Sequence, residues 1–531
     1  MPESDVIVIG SGPAGVHAAW PLVMAGKNVT MIDGGKQAPE ILASAPDENF
    51  EDVRRKNDDQ WKWFLGENLS GIPLSGLTGG LGGGQISGNR SYVTEDAGAL
   101  LPMELKNAFV IQSLAEGGLG AAWGATCAYL GHEELIAMGL PAEEMRRHYE
   151  IVTERIGVSG TDARYGLQPP SKPDLHAALM LETHGRKKQW FEERKLQVTQ
   201  PCTAVLTQDK GERKATCYHD MDYWADPRKS VYRPQYTLDE LRQRSNFRYV
   251  GDAIVRNVRE DAHDVHVEFR TFGNKTTRSL SAQKAILAAG AVNSARILLR
   301  SLGLYDTSTC FVGKPHVLTA CLHPKTFGRK GPKERLSLCQ LLVTDGEKRN
   351  GCPSGAAQLY GYRSMLLFRL LSSMPLPCPQ ATAMLSMLAP SLVIADIRFP
   401  ALRYDANTLS LRRKNDHEDF VRIEMHVEPE DAVLRKKSLR RLKKGLRTLG
   451  LLPIKTLMLE EASTSHYAGT VPFSQKSEGP ISSDETGKVH GMRSTHVADA
   501  SVFRCLPPTP HTLTIMANAN RIGENVLALL S

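Results

Sequence analysis

An α/β protein with a doubly wound parallel sheet, interleaved with a substrate domain containing an antiparallel sheet, is predicted by three features of the sequence. The chain opens on a short β-branched strand that runs into a glycine turn and a helix. A second strand–turn–helix pattern recurs near residue 290. Stretches that alternate apolar and polar residues lie further along. At 531 residues the chain is long enough for more than one structural unit.

Val6 to Ile9 is a continuous apolar run, as expected of a strand buried on both faces. Gly10-Ser11-Gly12-Pro13-Ala14-Gly15 follows, a G-x-G-x-x-G, and then an Ala-rich helix from Val16 to Ala25 closed by Gly26. In this pattern Gly10 makes the tight turn, Gly12 lets a pyrophosphate approach the backbone, and Gly15 lets helix and strand pack closely. The helix N-terminus offers unpaired N–H groups to the phosphates. A second strand, Asn28 to Ile32, ends at Asp33, placed to accept a ribose hydroxyl. Strand, turn, helix, strand and acid in register predict dinucleotide binding. Pro21 sits inside the helix, where it removes a hydrogen bond at a cost of about 3 kcal/mol, so a kink is expected there and not the end of the helix.

Glycines recur at Gly79–Gly84 (GGLGGG) and Gly117–Trp123 (GGLGAAW), where backbone must come close to something flat or charged. Ala285 to Leu299 reads AILAAGAVNSARILL, a buried strand, a turn around Gly290 and a helix. At the C-terminus, His466-Tyr467-Ala468-Gly469-Thr470 forms an H-x-x-G-T, and HVADASVF is followed by HTLTIMANANRIGENVLALL. Together these segments resemble the glucose-methanol-choline (GMC) family of FAD-dependent oxidoreductases.

The resemblance implies a Rossmann-like FAD/NAD(P)-binding domain from residues 1–165, 241–310 and 456–531. The substrate domain would take residues 166–240 and 311–455. It implies that Gly10, Gly12, Gly15 and Asp33 bind the ADP half of FAD, and that Asp499 and Ala500 lie near the pyrophosphate and ribityl chain. Gly118 and Trp123 would run beside the isoalloxazine, with Gly290 at the central turn. Some relatives carry a flavin-linked histidine just before the tryptophan of that loop. Ala122 occupies the position here, so FAD is expected to be non-covalent.

Oxidising an alcohol removes a proton from the hydroxyl and a hydride from the carbon, the hydride passing to flavin. A neutral imidazole suits the proton transfer, and His466 in its H-x-x-G-T setting is the expected base. The family places a second His or Asn four residues before a Thr. Here Thr514 is preceded at that distance by Pro510, and His511 sits one place later. Either the loop is re-registered so that His511 assists, or His511 caps or packs the following helix. That helix, from Thr512, would aim its N-terminal dipole at the pyrimidine edge of the flavin, with Thr512 and Thr514 adding hydroxyl contacts. A plain C-terminal helix docked through Met516, Ile522, Val526 and Leu527 is compatible with this.

In the middle of the chain, DFVRIEMHVEP (419–429) and VIADIRF (393–399) have strand character. They suggest the antiparallel sheet that roofs the flavin in GMC enzymes. Leu366 to Leu392 is Leu/Met-rich but broken by prolines, with no apolar span of ~20 residues. Buried core is the plainer reading; a lid over an apolar substrate or a membrane-surface contact is the sharper one.

Composition narrows the function. Lys and Arg number 65 against 58 Asp and Glu. Leu434 to Gly450 alone holds eight basic and no acidic residues, so the rest of the chain is balanced. Nucleic-acid binding, which spreads such an excess over a wide face, is not expected. A solvated basic helix face is the default for 434–450. Attraction of an anionic substrate, carrier protein or lipid headgroup is the alternative. Nine scattered cysteines without C-x-x-C spacing argue against a disulfide framework or structural zinc, and no metal site is expected. The opening MPESDVIVIG lacks the character of a signal segment, so a cytoplasmic enzyme is expected.

The expected activity is oxidation of a small-molecule alcohol, with a lean toward a sugar, aminosugar or other polyol, and with oxygen or another acceptor reoxidising FAD. Rivals are oxidation of a sterol or lipid alcohol and a non-redox lyase on the same scaffold. A third, a flavin-fold binding protein without catalysis, is opposed by the intact glycines and the H-x-x-G-T.

Overall fold

A computed structural model describes residues 4–66, 86, 88–220, 225–273, 276–329, 334–336, 338–361, 371, 374–415 and 418–530. The strand Ser4–Ile9 lies between two parallel neighbours, Val29–Ile32 and Thr277–Leu287, and Val6, Ile7 and Val8 have no exposed surface. Burial on both faces explains why this run is apolar throughout and does not alternate. Phe247–Val250 adds a parallel strand beyond Val29–Ile32, and Thr495–Val497 pairs parallel with the end of Thr277–Leu287. The start of that long strand pairs antiparallel with Val265–Thr271, which in turn pairs with Ala253–Glu260. The parallel core is thus assembled from segments far apart in sequence, as expected, and carries an antiparallel wing.

The helix Pro13–Met24 follows the glycine turn and continues past Pro21 for three residues. It packs against the C-terminal helix Thr512–Ala528. The contact is tight at Gly523, where a Cβ would come within 2.3 Å of the Ala18 carbonyl oxygen and 2.8 Å of the Pro21 ring. Ala291–Ser301 is the helix expected after Gly290.

A six-stranded antiparallel sheet forms the second layer, in the order Leu452–Met458, His316–Leu322, Leu392–Arg398, Cys352–Gly361, Leu341–Arg349 and Leu196–Thr199. Side chains alternate between its faces. Val317, Val393, Ala395 and Ile397 point to the back, where they share a core with Leu442 and Leu446 of the helix Pro429–Thr448. His316, Leu318, Ile394, Asp396 and Arg398 point to the front.

VIADIRF therefore lies in the roof, but DFVRIEMHVEP does not. Asp419–Glu424 belongs to a separate four-stranded sheet with Ser308–Cys310, Thr408–Arg413 and Met103–Lys106, and its strand stops at Glu424. Alternation specifies one buried face and says nothing about which sheet covers it. The basic run forms most of the helix Pro429–Thr448, which turns Arg435 onto Glu461 (2.7 Å) and Arg441 onto Asp345 (3.0 Å). Lys436, Lys437, Arg440, Lys444 and Arg447 remain exposed, a solvated basic face. Within the Leu/Met-rich stretch, Cys378–Leu388 is a helix that buries Ala381 and Leu385. It leaves Met384 and Met387 exposed, which corrects the reading as buried core. Residues 366–370 and 372–373 of that stretch, and the GGLGGG at 79–84, lie outside the described residues. Among the described residues no helix is long and apolar enough to cross a membrane.

Candidate active site

The first glycine turn behaves as its spacing predicts. Gly10 has φ of +103°, and a Cβ there would meet the Ala288 carbonyl oxygen at 2.5 Å. A Cβ on Gly15 would fall 1.8 Å from the Gly10 carbonyl oxygen, so strand and helix touch backbone to backbone. Gly12 is different. Its Cβ would find only the Gly117 carbonyl oxygen, at 3.8 Å, and it faces a cavity of about 440 Å³. That cavity is lined by Gly10, Gly12 and Asp33 and also by His466 and His511.

Asp33 is held by four donors: the Ser11 N–H on Oδ1, and the Ser11 hydroxyl, Gly35 N–H and Tyr249 hydroxyl on Oδ2. Burial raises its pKa and these bonds pull against that shift. Oδ1 accepts a single bond and so retains capacity for a ligand hydroxyl.

Gly118, Trp123, Gly290, Asp499, Ala500 and Thr512 also line the cavity. Trp123 is fixed by its indole N–H on the Tyr232 carbonyl, 2.7 Å. Asp499 joins two distant segments by accepting from the Gly290 N–H (2.9 Å) and the Ser294 hydroxyl (2.5 Å). Gly15 stays out of the lining, in keeping with its packing role. Thr514 also stays out: its hydroxyl shares a hydrogen bond of 2.7 Å with Tyr149. Two residues along a helix rotate a side chain by about 200°, so Thr512 and Thr514 cannot both face one ligand, and the expected Thr514 contact is corrected.

His466 and His511 come together despite the shifted register. Their ring centroids are 4.7 Å apart at 67°, and both rings line the cavity. His511 is the residue preceding the first turn of the C-terminal helix, so its position beside His466 and the cap position coincide. Nδ1 of His466 is buried without a hydrogen-bond partner, whereas Nδ1 of His511 lies 3.2 Å from Nζ of Lys314. Burial first, then Lys314, pushes both imidazoles well below the ordinary histidine range, with Arg398 adding to each. Both rings are neutral at pH 7 and able to take a proton.

The sequence places VIADIRF in the roof above them but gives none of the roof's polar residues a named role. His316 and Arg398 sit opposite one another across neighbouring strands, and Gln358 sits opposite Asp396. Asp396 accepts from His316 Nδ1 (2.8 Å) and from Arg398 Nε and Nη2 (2.9 and 2.7 Å). The Tyr360 hydroxyl donates to Gln358 Oε1 at 2.8 Å. His316 Nε2 and Gln358 Nε2 are left buried with no partner, on residues that line the cavity. The available signal was the i, i+2 spacing of Asp396 and Arg398 inside an apolar strand, which puts two opposite charges on one buried face.

Burial alone would raise the Asp396 carboxyl, but Arg398 and His316 outweigh it and hold it well below the carboxylate range. Asp396→Asn is accordingly expected to lose about 3–5 kcal/mol, because it leaves the Arg398 charge buried and unpaired. Urea unfolding at pH 7 measures this. The native contribution is fully present above the ordinary carboxylate pKa of about 4 and is lost as pH falls toward the depressed value. The gap between wild type and variant should therefore narrow only below about pH 4.

Residues 404–519 match the model of the family described as GMC oxidoreductase. The C-terminal segment is similar to that of GMC oxidoreductases. The solved structures agree in fold. The crystal structure of pyridoxine 4-oxidase from Mesorbium loti has a TM-score of 0.60 at 14% identity, over 98% of this chain and 99% of that one. An FAD-dependent oxidoreductase from Chaetomium thermophilum, solved with a bound pyridine- and thiophene-containing fragment, has a TM-score of 0.60 at 12% identity, over 99% of both chains. No curated protein matches the sequence. The GMC family's cofactor, FAD, fits the residues present. Gly12 and Gly290 are open toward the cavity where a Cβ would intrude on a ligand, and Asp33 Oδ1 can accept from a hydroxyl. The match over 404–519 supports an FAD oxidoreductase, a class that works with a small-molecule substrate and an electron acceptor.

Proposed function

We propose that the protein oxidises an alcohol to a carbonyl, with His466 as the base and His511 holding the substrate oxygen. The observation that carries this reading is the facing pair of buried, neutral imidazoles in the wall of the same cavity as the glycine turn. Bound FAD supplies the acceptor for the hydride that leaves the carbinol carbon. His466 takes the hydroxyl proton as the C–O bond becomes a carbonyl. Trp123, Leu318 and Ile394 on the cavity wall keep bulk water from the reacting carbon.

The substrate class we infer is a sugar, aminosugar or other polyol. The unpartnered His316 Nε2 and Gln358 Nε2 support it. An apolar sterol would leave both unsatisfied, whereas a second hydroxyl can donate to one and accept from the other. A hydroxyl can both donate and accept, so it can pair with the His316 ring nitrogen and with the Gln358 amide, which is a donor. The same proposal includes non-covalent FAD, because Ala122 offers no attachment atom before Trp123. It also includes the alternation of FAD and substrate segments along the chain.

The visible spectrum of the purified protein under anaerobic conditions tests this. Bleaching of the flavin bands by polyols or aminosugars, and not by apolar alcohols, is the expected result. Bleaching by apolar alcohols alone would replace the substrate class with a lipid alcohol. Yellow protein that no alcohol bleaches would favour the lyase reading. Acid precipitation should release the flavin into the supernatant.

A further inference from the structure

Lys314 is fully buried and touches both histidines without lining the cavity itself. It follows the two-residue strand Val312–Gly313, which pairs with Tyr467–Ala468. Its backbone N–H donates to the His466 carbonyl at 3.1 Å, and the Thr464 hydroxyl donates to its own carbonyl at 2.9 Å. The side chain runs the other way. Nζ donates to the Thr509 carbonyl at 2.8 Å and lies 3.2 Å from Nδ1 of His511. Those are its two polar partners among the described residues.

Counting hydrogens decides the direction of the second bond. A neutral amine carries two N–H groups and an ammonium three, and an ammonium cannot accept. If Nζ donates to Thr509 and to His511, both hydrogens of the neutral amine are used. If the neutral amine instead accepted from His511, one of its N–H groups would be stranded in a fully buried position, a costly arrangement. Donation to His511 is favoured in both protonation states. A neutral imidazole whose Nδ1 accepts carries its proton on Nε2. With Nδ1 occupied from behind, Nε2 is the nitrogen His511 has left to offer the cavity.

We propose that Lys314 is a positioning residue that fixes the tautomer of His511, so that His511 presents Nε2–H to the substrate oxygen and cannot serve as the base. The two histidines then have unequal roles. His511 steadies the oxygen, and His466, whose Nδ1 has no partner to fix its proton, receives the proton. This assignment of roles rests on the alcohol-oxidation reading above; the tautomer does not.

The test is nitrogen NMR of the FAD-loaded protein labelled with ¹⁵N-histidine, the His511 signals being identified by their loss in His511→Asn. The expected wild-type spectrum shows an acceptor-type Nδ1 and a protonated Nε2 at His511. In Lys314→Met the two tautomers should mix, and flavin reduction at saturating substrate should slow about 10- to 100-fold, on the scale of a misdirected catalytic imidazole or a lost oxyanion donor. Lys314→Gln, which keeps an N–H donor, should recover part of both. A proton on Nδ1 in the wild type would overturn the proposal, and so would an unchanged tautomer and rate in Lys314→Met. If Lys314→Met does not fold, the wild-type spectrum still decides. A protonated Nε2 in a protein whose flavin no alcohol reduces would leave the tautomer standing and remove the alcohol oxidation.

Discussion

Replacing His466 by alanine is expected to leave the protein folded and yellow while slowing anaerobic flavin reduction by its alcohol about 100-fold or more, the usual scale for losing a general base. The structure explains why folding should tolerate the change. His466 lines an existing cavity, and its Nδ1 makes no hydrogen bond whose loss would strand a partner. Its remaining tie is the backbone carbonyl that accepts from Lys314 N–H, which alanine keeps. Stopped-flow absorbance separates the two effects, since flavin content reads the fold and the reduction rate reads the base. Wild-type reduction rates in His466→Ala would remove it from the mechanism. The pH dependence adds a sign. Burial above all, with Lys314 behind it, holds the imidazole well below its ordinary value near 6.5, so the base form persists as pH falls through 6.5. The reduction rate in the wild type should show no acid limb there. His511→Asn should cost less, because asparagine can still donate toward the substrate oxygen.

How much of this was legible in the sequence follows from the range of the interactions. The turn Gly10 to Gly15, the strands beside it, the Gly290 turn and the C-terminal helix are local patterns, and each forms where its spacing puts it. The pairing of His466 with His511 was readable only through the family motif, and the one-residue shift at Pro510 left it open. What closes it is the geometry, with the two rings 4.7 Å apart; Lys314, which contacts both residues, lies in a Gly-Lys-Pro-His stretch that carries no periodicity or motif. The roof was half visible. Asp396 and Arg398 announce a buried face two residues apart, but their partners His316 and Gln358 lie on other strands, 80 and 38 positions from Asp396. The misassignment of 419–429 has the same origin, because alternation is local and the choice of sheet is not. Thr514 failed for a simpler reason, helix rotation, which was available from the sequence had the 200° step from Thr512 been applied.

The glycines of the first turn separate folding from cofactor binding, and two substitutions three residues apart should show it. Gly15→Ala places a Cβ 1.8 Å from the Gly10 carbonyl oxygen and 2.8 Å from its carbon. Both are backbone atoms, and Gly10 is itself held against Ala288 at the end of the neighbouring strand. No side chain can swing aside, so helix and sheet must part along a core in which Val6, Ile7, Val8, Ala18 and Leu22 have no exposed surface. The expected loss is about 3 kcal/mol or more, at the upper end for overpacking, together with loss of bound flavin. Gly12→Ala makes the opposite prediction. Its φ of −63° is open to any residue, and its Cβ meets protein only at 3.8 Å. The apo-protein should melt within a few degrees of wild type. The same methyl group points into the cavity where the pyrophosphate would pass, so the variant should be purified colourless and bind added FAD at least tenfold more weakly. Thermal melts of the apo-forms and FAD titration by flavin fluorescence measure both. A Gly12→Ala protein that binds FAD as wild type does would move the phosphate site off this turn. A Gly15→Ala protein as stable as wild type would mean that the strand and helix can separate without cost.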